Sequence, residues 1–257
     1  MDNWRLQPAR DLGLPLRDRL RSLRRESGLI ETIARLGWWS AVRSYLAVSH
    51  RLTIRGREQI PAEPPFILVS NHTSHLDTLV LASSLRRQLW DRVFPIASGD
   101  TFFETPMLSA FAAGLLNALP MWRHNCGSHA LRELRLRLVS EPCAYILFPE
   151  GTRSRSGTIA RFRPGLGMIV AQTPVPVVPC YIRGAFEALA PGRRLPRPRK
   201  ISLRLGWPLN FASVSNDREG WNAIAERVEA AVRALAEGTH EAAPPPPGTA
   251  EQVTARR

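Results

Sequence analysis

A histidine and an aspartate stand five residues apart directly after an apolar run. His72 and Asp77 follow residues 66–69, which are typical of a buried strand, and precede apolar residues with helical spacing. Neutral imidazole can take a proton from an alcohol near neutral pH, and a carboxylate can fix its tautomer. Residues five apart on one helix are separated by about 140° around its axis. The pair can therefore meet only if His72 lies before the helix and Asp77 in its first turn.

Other roles fit the same residues. Ser74 and Asp77 have the spacing of a helix capping box, in which Asp77 satisfies amides of the first turn. His72, His75 and Asp77 are also metal-ligand types, but no other histidine or cysteine cluster completes a zinc site, so we expect no metal. Neither a G-x-S-x-G turn nor a comparable cysteine supplies a nucleophile. The attacking oxygen is therefore expected to belong to a substrate or to water.

A second polar cluster follows the apolar run at residues 144–148, and it comprises Glu150, Gly151, Thr152 and Arg153. Gly151 permits a tight turn that exposes backbone N–H groups, and the planar guanidinium of Arg153 suits phosphate oxygens. No Gly-Lys-Ser/Thr sequence follows, so this is not a Walker loop. The pattern favours a phosphate site, with a solvated arginine loop as the alternative.

Helical and strand patterns alternate along the chain. Apolar residues at three- and four-residue steps predict helices near 29–49, 78–87, 107–116, 129–138 and 221–235. Short apolar runs predict strands at 52–54, 66–69, 93–97, 118–122, 144–148, 176–182 and 201–205. This alternation predicts an α/β fold, with a mixed, largely parallel sheet covered by helices on both faces. Functional residues are then expected where strands end, and Arg123 joins the phosphate site if its strand neighbours that of Glu150.

Composition divides the chain into three regions. Residues 1–49 form a basic, amphipathic helical lead-in whose arginines and tryptophans suit a membrane interface, although packing on the domain is an equal alternative and both can hold. Residues 50–236 form the α/β domain. Residues 237–257 contain four consecutive prolines and few apolar residues, which predicts a disordered tail.

The net charge of +13 comes from 35 basic residues, of which only Lys200 is a lysine. Such a charge suits an anionic phospholipid surface, an acidic carrier protein or nucleic acid, although part of it is compositional background. No recognised nucleic-acid module is present, so we expect no nucleic-acid partner. Three cysteines without paired spacing indicate a reducing compartment, and neither a cleavable signal nor a spanning segment is visible. We expect a peripheral or monotopic protein at the cytoplasmic face of the membrane.

Several ordered blocks resemble one family. Residues 71–77, Asn-His-Thr-Ser-His-Leu-Asp, resemble the NHxSxxD (HX4D) block of the glycerolipid acyltransferases, the 1-acylglycerol-3-phosphate acyltransferase family. Residues 148–153, Phe-Pro-Glu-Gly-Thr-Arg, are similar to the third block, residues 162–165 to the F-K-x-G that follows it, and residues 175–179 to the fourth. Arg123 falls where the second block carries an arginine, but the residues before it depart from that block.

The resemblance covers about residues 50–207 and implies a role for each candidate site residue. His72 would be the general base for a lysophospholipid hydroxyl, Asp77 its orienter, and an acyl thioester the electrophile. The acceptor's glycerol-phosphate end would bind Arg123, Glu150, Gly151, Thr152 and Arg153. The resemblance implies transfer to 1-acylglycerol-3-phosphate, giving phosphatidic acid, with acyl-CoA or acyl-carrier protein as donor substrate and no cofactor. The alternatives are a lipid or thioester hydrolase with the same His-Asp pair, and a non-catalytic basic membrane-binding module.

Overall fold

The computed structural model describes residues 15, 29–98, 111–121, 128–193 and 195–238. Its helices are α1 (Leu29–His50), α2 (Leu76–Ser84), α3 (Ser128–Ser140), α4 (Gly165–Val170), α5 (Ala185–Ala188) and α6 (Arg218–Glu237). Its strands are β1 (Thr53–Arg55), β2 (Phe66–Ser70), β3 (Val93–Ser98), β4 (Leu119–Met121), β5 (Ala144–Leu147), β6 (Val177–Arg183) and β7 (Ser202–Leu205). Short 3-10 turns occupy Arg57–Gln59 and Arg87–Leu89, and a π-helical turn occupies Phe111–Leu115.

The strands of the described residues form one sheet in the order β1-β7-β6-β2-β5-β3-β4. The pairings are parallel except that of β6 with β7, which is antiparallel. The predicted mixed, largely parallel sheet is therefore confirmed. Because β2 lies between β5 and β6, the loops that leave these three strands emerge at one edge of the sheet. The segment that enters β7 reaches the same edge, since β7 runs opposite to β6.

Helices cover both faces of the sheet, as predicted. Phe66 and Leu68 of β2 pack in a core with α1 and α2, whereas Ile67 and Val69 pack in a second core with α3, α4 and α6. Every residue of β2 is buried, because each face is covered. This explains why the strand appears in the sequence as a continuous apolar run and not as an alternating one.

Helix α1 packs on this domain through one side. Trp39 and Leu46 are buried in the core, and the fully buried Arg35 pairs with Asp91 through an Nη1–Oδ1 distance of 2.7 Å. None of the exposed residues between positions 36 and 48 is charged. Packing on the domain is thus observed, while the interfacial role of the outer side stays a prediction. Within the described ranges, no helix combines the length and apolarity needed to span a bilayer.

Element boundaries differ from the sequence prediction in a few places. Helix α2 ends at Ser84 and not near residue 87, because Leu85 is extended and the Arg57 guanidinium donates to the carbonyl oxygens of Ser84 and Leu85. The short α4 and α5 were not predicted. Helix α6 includes Glu237, and the rest of the predicted tail from residue 239 lies outside the described residues, as do residues 107–110 of one predicted helix.

Candidate active site

The turn after β2 places His72 at the sheet edge. Asn71 fixes the start of this turn to β6, because its Nδ2 donates to the Ile182 carbonyl oxygen at 3.0 Å and its Oδ1 accepts from the Ile182 N–H at 2.9 Å. Helix α2 begins only at Leu76. His72 therefore lies before the helix, as the spacing argument requires.

His72 and Asp77 are in direct contact, with His72 Nδ1 3.0 Å from Asp77 Oδ2. The carboxylate is fully buried, while the imidazole retains 20% exposure. Phe148, at the end of β5, stacks on one face of the ring at a centroid distance of 4.1 Å and an interplanar angle of 18°. Since a carboxylate only accepts hydrogen bonds, the neutral ring carries its proton on Nδ1 and leaves Nε2 as a base.

Asp77 also caps the helix that follows. The same Oδ2 accepts from the backbone N–H groups of Thr73 at 2.6 Å and Ser74 at 2.7 Å. Ser74 Oγ in turn accepts from the Leu76 N–H at 3.1 Å. The half of the capping box in which Asp77 accepts from the Ser74 N–H is therefore present, but Ser74 Oγ bonds the Leu76 N–H and not the Asp77 N–H. The His-Asp contact uses the same Oδ2, while Oδ1 is buried without a hydrogen-bond partner among the described residues. Three donors on one oxygen fix the orientation of the carboxylate.

Glu150 joins the two predicted clusters. Its Oε1 accepts from the His72 backbone N–H at 2.8 Å, and its Oε2 accepts from the Ala160 N–H at 3.1 Å. The Ser154 N–H also donates to the His72 carbonyl oxygen at 2.8 Å. Burial raises the pKa of Glu150, and the two backbone hydrogen bonds oppose that shift. Oε1 therefore holds the His72 turn against the loop after β5, while Oε2 bonds a later residue of that same loop.

Gly151 and its neighbours form the turn after β5. Gly151 adopts a left-handed φ of 75°, and its N–H closes the turn on the Phe148 carbonyl oxygen at 3.0 Å. The left-handed φ favours glycine here, and a Cβ would lie 2.9 Å from Arg163 Nε, at the end of a side chain that can shift. Thr152 is exposed, and its Oγ1 donates to the Arg153 carbonyl oxygen at 3.3 Å, while the Arg153 side chain is half-buried.

Arg153 lies close enough to the His72 turn to act on its electrostatics. Desolvation lowers the pKa of His75 to about 4, and the positive charge of Arg153 contributes to the shift. His75 is therefore neutral at physiological pH. The strand before Arg123, β4, does not neighbour β5, because β3 lies between them, so the condition set for Arg123 is not met. Arg123 itself lies outside the described residues, and the role that the resemblance implies for it stays a prediction.

Two supporting residues received no role from the sequence. Asn71 belongs to the quoted motif, but its bonds reach β6, which is 111 residues away in the chain. Phe148 was indistinguishable from a core residue because it ends an apolar run. Across the described ranges, no three His, Cys, Asp or Glu side chains converge as they would around a metal ion.

Comparisons with known proteins agree with this geometry. An acyltransferase family model matches residues 51–183, which include β1 to β6 and the turns of His72 and Gly151. The crystal structure of the 1-acyl-sn-glycerophosphate (LPA) acyltransferase PlsC from Thermotoga maritima superposes with a TM-score of 0.63 at 25% sequence identity, covering 83% of this chain and 81% of that one.

Curated relatives carry related names. The mouse 1-acyl-sn-glycerol-3-phosphate acyltransferase alpha is 26% identical over 169 residues, which are 65% of this chain and 58% of that protein. The chloroplastic 1-acyl-sn-glycerol-3-phosphate acyltransferase BAT2 of Brassica napus is 30% identical over 156 residues. These residues are 60% of this chain and 43% of that protein. This chain spans about half the length of the curated relatives it matches.

Proposed function

This chain belongs to the acyltransferase family, and from that premise we propose that it transfers a fatty acyl group from a thioester to a lysophospholipid hydroxyl. The proposed acceptor is 1-acylglycerol-3-phosphate and the product is phosphatidic acid. The observation that carries the proposal is the 3.0 Å contact between His72 and Asp77, held at the end of β2 against the Glu150 turn. The names of the curated relatives and of the Thermotoga enzyme support the choice of acceptor.

His72 is the general base in this mechanism. The acceptor hydroxyl donates a hydrogen bond to Nε2, and its proton passes to that nitrogen as the oxygen attacks the thioester carbonyl carbon. Asp77 accepts the Nδ1 proton and stabilises the imidazolium that forms. The tetrahedral intermediate collapses by breaking the C–S bond, and the leaving thiolate recovers the proton from the imidazolium. No cofactor enters this sequence of steps.

The turn after β5 binds the phosphate of the acceptor. Arg153 and Thr152 supply a cationic and a hydroxyl donor beside His72, and Arg123 is proposed to add a second guanidinium. Glu150 is assigned a different part from the one that the resemblance implies. Its carboxylate would repel a phosphate, and both of its oxygens already accept backbone N–H groups. We therefore assign Glu150 as a positioning residue for His72.

The proposed acceptor is a membrane lipid, so the enzyme works at a membrane surface. The uncharged outer side of α1 suits contact with lipid, and the net charge of +13 favours an anionic surface. Peripheral association at the cytoplasmic face is part of the proposal.

The test is an assay with a labelled acyl thioester and lysophosphatidic acid, in which product phosphatidic acid and free fatty acid are separated. We expect transfer by the wild type, and a rate at least about a hundredfold lower for His72→Gln, because a general base contributes roughly 10²–10⁴-fold. Free fatty acid as the sole product would instead indicate the hydrolase. No turnover with either thioester type would favour the non-catalytic membrane-binding module.

A further inference from the structure

A second polar site lies on β6, β7 and β1, and its side chains have no role in the proposed acyl-transfer mechanism. It is a cavity of about 430 Å³, whose charged lining residues are Arg55, Arg183, Arg199, Lys200, Arg204 and Glu187. Five cationic side chains thus face one carboxylate. Such a lining favours a ligand with several negative charges.

The strand register explains why these cations share one face of the sheet. Ile54 and Leu203 pack in the core with α1 and α2, so their neighbours along β1 and β7 point to the opposite face. Arg55 pairs in register with Arg204, and Thr53 pairs with Ser202. Two arginines and two hydroxyl-bearing residues thereby lie on paired strands, and Arg204 Nη1 also donates to the Leu235 carbonyl oxygen at 2.8 Å.

The segment that carries Arg199 and Lys200 is also fixed. The Ile201 N–H donates to the His50 carbonyl oxygen at 2.9 Å, and His50 Nδ1 lies 3.1 Å from the Arg199 carbonyl oxygen. Gly184 has a φ of 91°, and a Cβ there would collide with the Lys200 carbonyl group. The backbones of strand β6 and of the Lys200 segment can therefore approach closely, while the side chains of Arg183, Arg199 and Lys200 are exposed to solvent.

The cavity and the catalytic turn share a common wall. Arg183 follows Ile182, the residue that Asn71 holds beside His72. Leu189 lies two residues after the lining residue Glu187 and does not itself line the cavity, and its carbonyl oxygen accepts from Ser74 Oγ at 2.8 Å. Neighbouring strands lie about 4.8 Å apart, so a cavity on β6, β7 and β1 begins roughly 5 Å from β2 and extends to roughly 15 Å. An extended ligand can thus reach from the cavity to His72.

We propose that this cavity binds the phosphate groups of the coenzyme A portion of an acyl-CoA donor, an inference that rests on the proposed acyl transfer. Coenzyme A carries a pyrophosphate and a 3′-phosphate, and the length of its pantetheine arm separates them from the thioester. Guanidinium groups bind phosphate oxygens in pairs. A concave cavity fits a small ligand, whereas a carrier protein would present a convex surface and a membrane a flat one.

The experiment measures binding and turnover separately. Calorimetric titrations with coenzyme A, dephospho-coenzyme A and adenosine 3′,5′-bisphosphate are compared for the wild type, the Arg199→Ala/Lys200→Ala variant and the Arg197→Ala control. Arg197 is an exposed cation on the same segment that does not line the cavity. We expect the double variant to bind coenzyme A at least about tenfold more weakly and the control to bind as the wild type does, because each charge-assisted contact contributes about tenfold.

Steady-state kinetics test whether the cavity binds the acyl-CoA donor during turnover. We expect the double variant to raise KM for acyl-CoA about tenfold and to leave KM for lysophosphatidic acid unchanged. Equal binding of coenzyme A by the double variant and the control would overturn the proposal, as would equal affinity for dephospho-coenzyme A. A rise in KM for acyl-carrier protein alone, without coenzyme A binding, would reassign the cavity to a protein and also overturn it. Coenzyme A binding without acyl transfer would support the cavity and contradict the proposed function.

Discussion

At the scale of single residues, one carboxylate oxygen of Asp77 links the proposed catalysis to local folding. It accepts from the imidazole of His72 and from the backbone N–H groups of Thr73 and Ser74. The helix cap and the orientation of the base therefore depend on the same atom. Substitutions at this position are expected to affect stability and rate by different amounts.

Asp77→Asn separates the two roles. An amide oxygen can still accept hydrogen bonds, so we expect a loss of only about 1 kcal/mol in the free energy of unfolding, typical of a weakened cap. The neutral amide cannot stabilise the imidazolium, so kcat is expected to fall by about a hundredfold or more. Urea unfolding and the transfer assay measure the two effects.

Ser74→Ala is the matched control for the cap. It removes the Oγ that accepts from the Leu76 N–H and donates to the Leu189 carbonyl oxygen, but it leaves the His72–Asp77 contact in place. We expect a similar loss of stability with a kcat within about tenfold of the wild type. If both variants lose activity to the same extent, Asp77 acts only as a cap.

Glu150→Gln tests positioning against substrate binding. Glutamine has one acceptor oxygen, so one of the two backbone N–H groups that Glu150 binds would lose its partner. We expect kcat to fall about tenfold or more as the His72 turn loosens, with KM for lysophosphatidic acid little changed. Steady-state kinetics at varied acceptor concentration distinguish the two roles. A large rise in KM at constant kcat would favour the acceptor-binding role that the resemblance implies.

The sequence predicted the local part of the site better than its long-range part. The sequence predicted where His72 must lie for contact with Asp77, because that condition depends only on a five-residue spacing and on where the helix begins. The bond from Glu150 to the His72 N–H spans 78 residues, and that from Asn71 to Ile182 spans 111. Such contacts depend on strand order, which no local spacing encodes.

At the scale of elements, strands were predicted well because β2 and β5 are buried on both sides and appear as continuous apolar runs. Helix α4 escaped prediction because its six residues are too few to display a helical period. Its position depends on tertiary packing, since a Cβ on Gly167 would collide with the backbone of Trp221 in α6. The glycine therefore allows α4 and α6 to approach closely.

Gly167→Ala is expected to lower the free energy of unfolding by about 1–3 kcal/mol, because the helices must separate to admit the methyl group. Gly37→Ala on α1 is the matched control, since nothing lies within 4 Å of its added Cβ. Alanine at that exposed helical position is expected to stabilise by about 0.5–1 kcal/mol. Urea unfolding of both variants measures the difference. Equal changes in the free energy of unfolding would mean that α4 and α6 accommodate the added methyl group without destabilisation.

At the scale of the whole molecule, the fold separates its apolar surfaces. Two side chains on α1, Leu36 and Val48, are exposed at 39% and 81%, while Trp39 on the other side of the helix is buried. A second exposed apolar pair, Leu136 and Val139 on α3, lies on the opposite face of the sheet. The exposed pair on α1 and the exposed pair on α3 can therefore be tested against each other as contacts with a lipid surface.

Leu36→Ser/Val48→Ser tests the α1 face without disturbing the core. Each apolar side chain that enters a lipid interface contributes about 1 kcal/mol or more, so we expect binding to anionic vesicles to weaken about tenfold or more. The control is Leu136→Ser/Val139→Ser, which is expected to bind as the wild type does. Vesicle sedimentation at several salt concentrations measures the affinity and separates the apolar contribution from the charge of +13, because salt screens only the latter. Unchanged binding by the α1 variant together with weakened binding by the control would place the membrane surface on α3, and α1 would then act solely as a structural element of the domain.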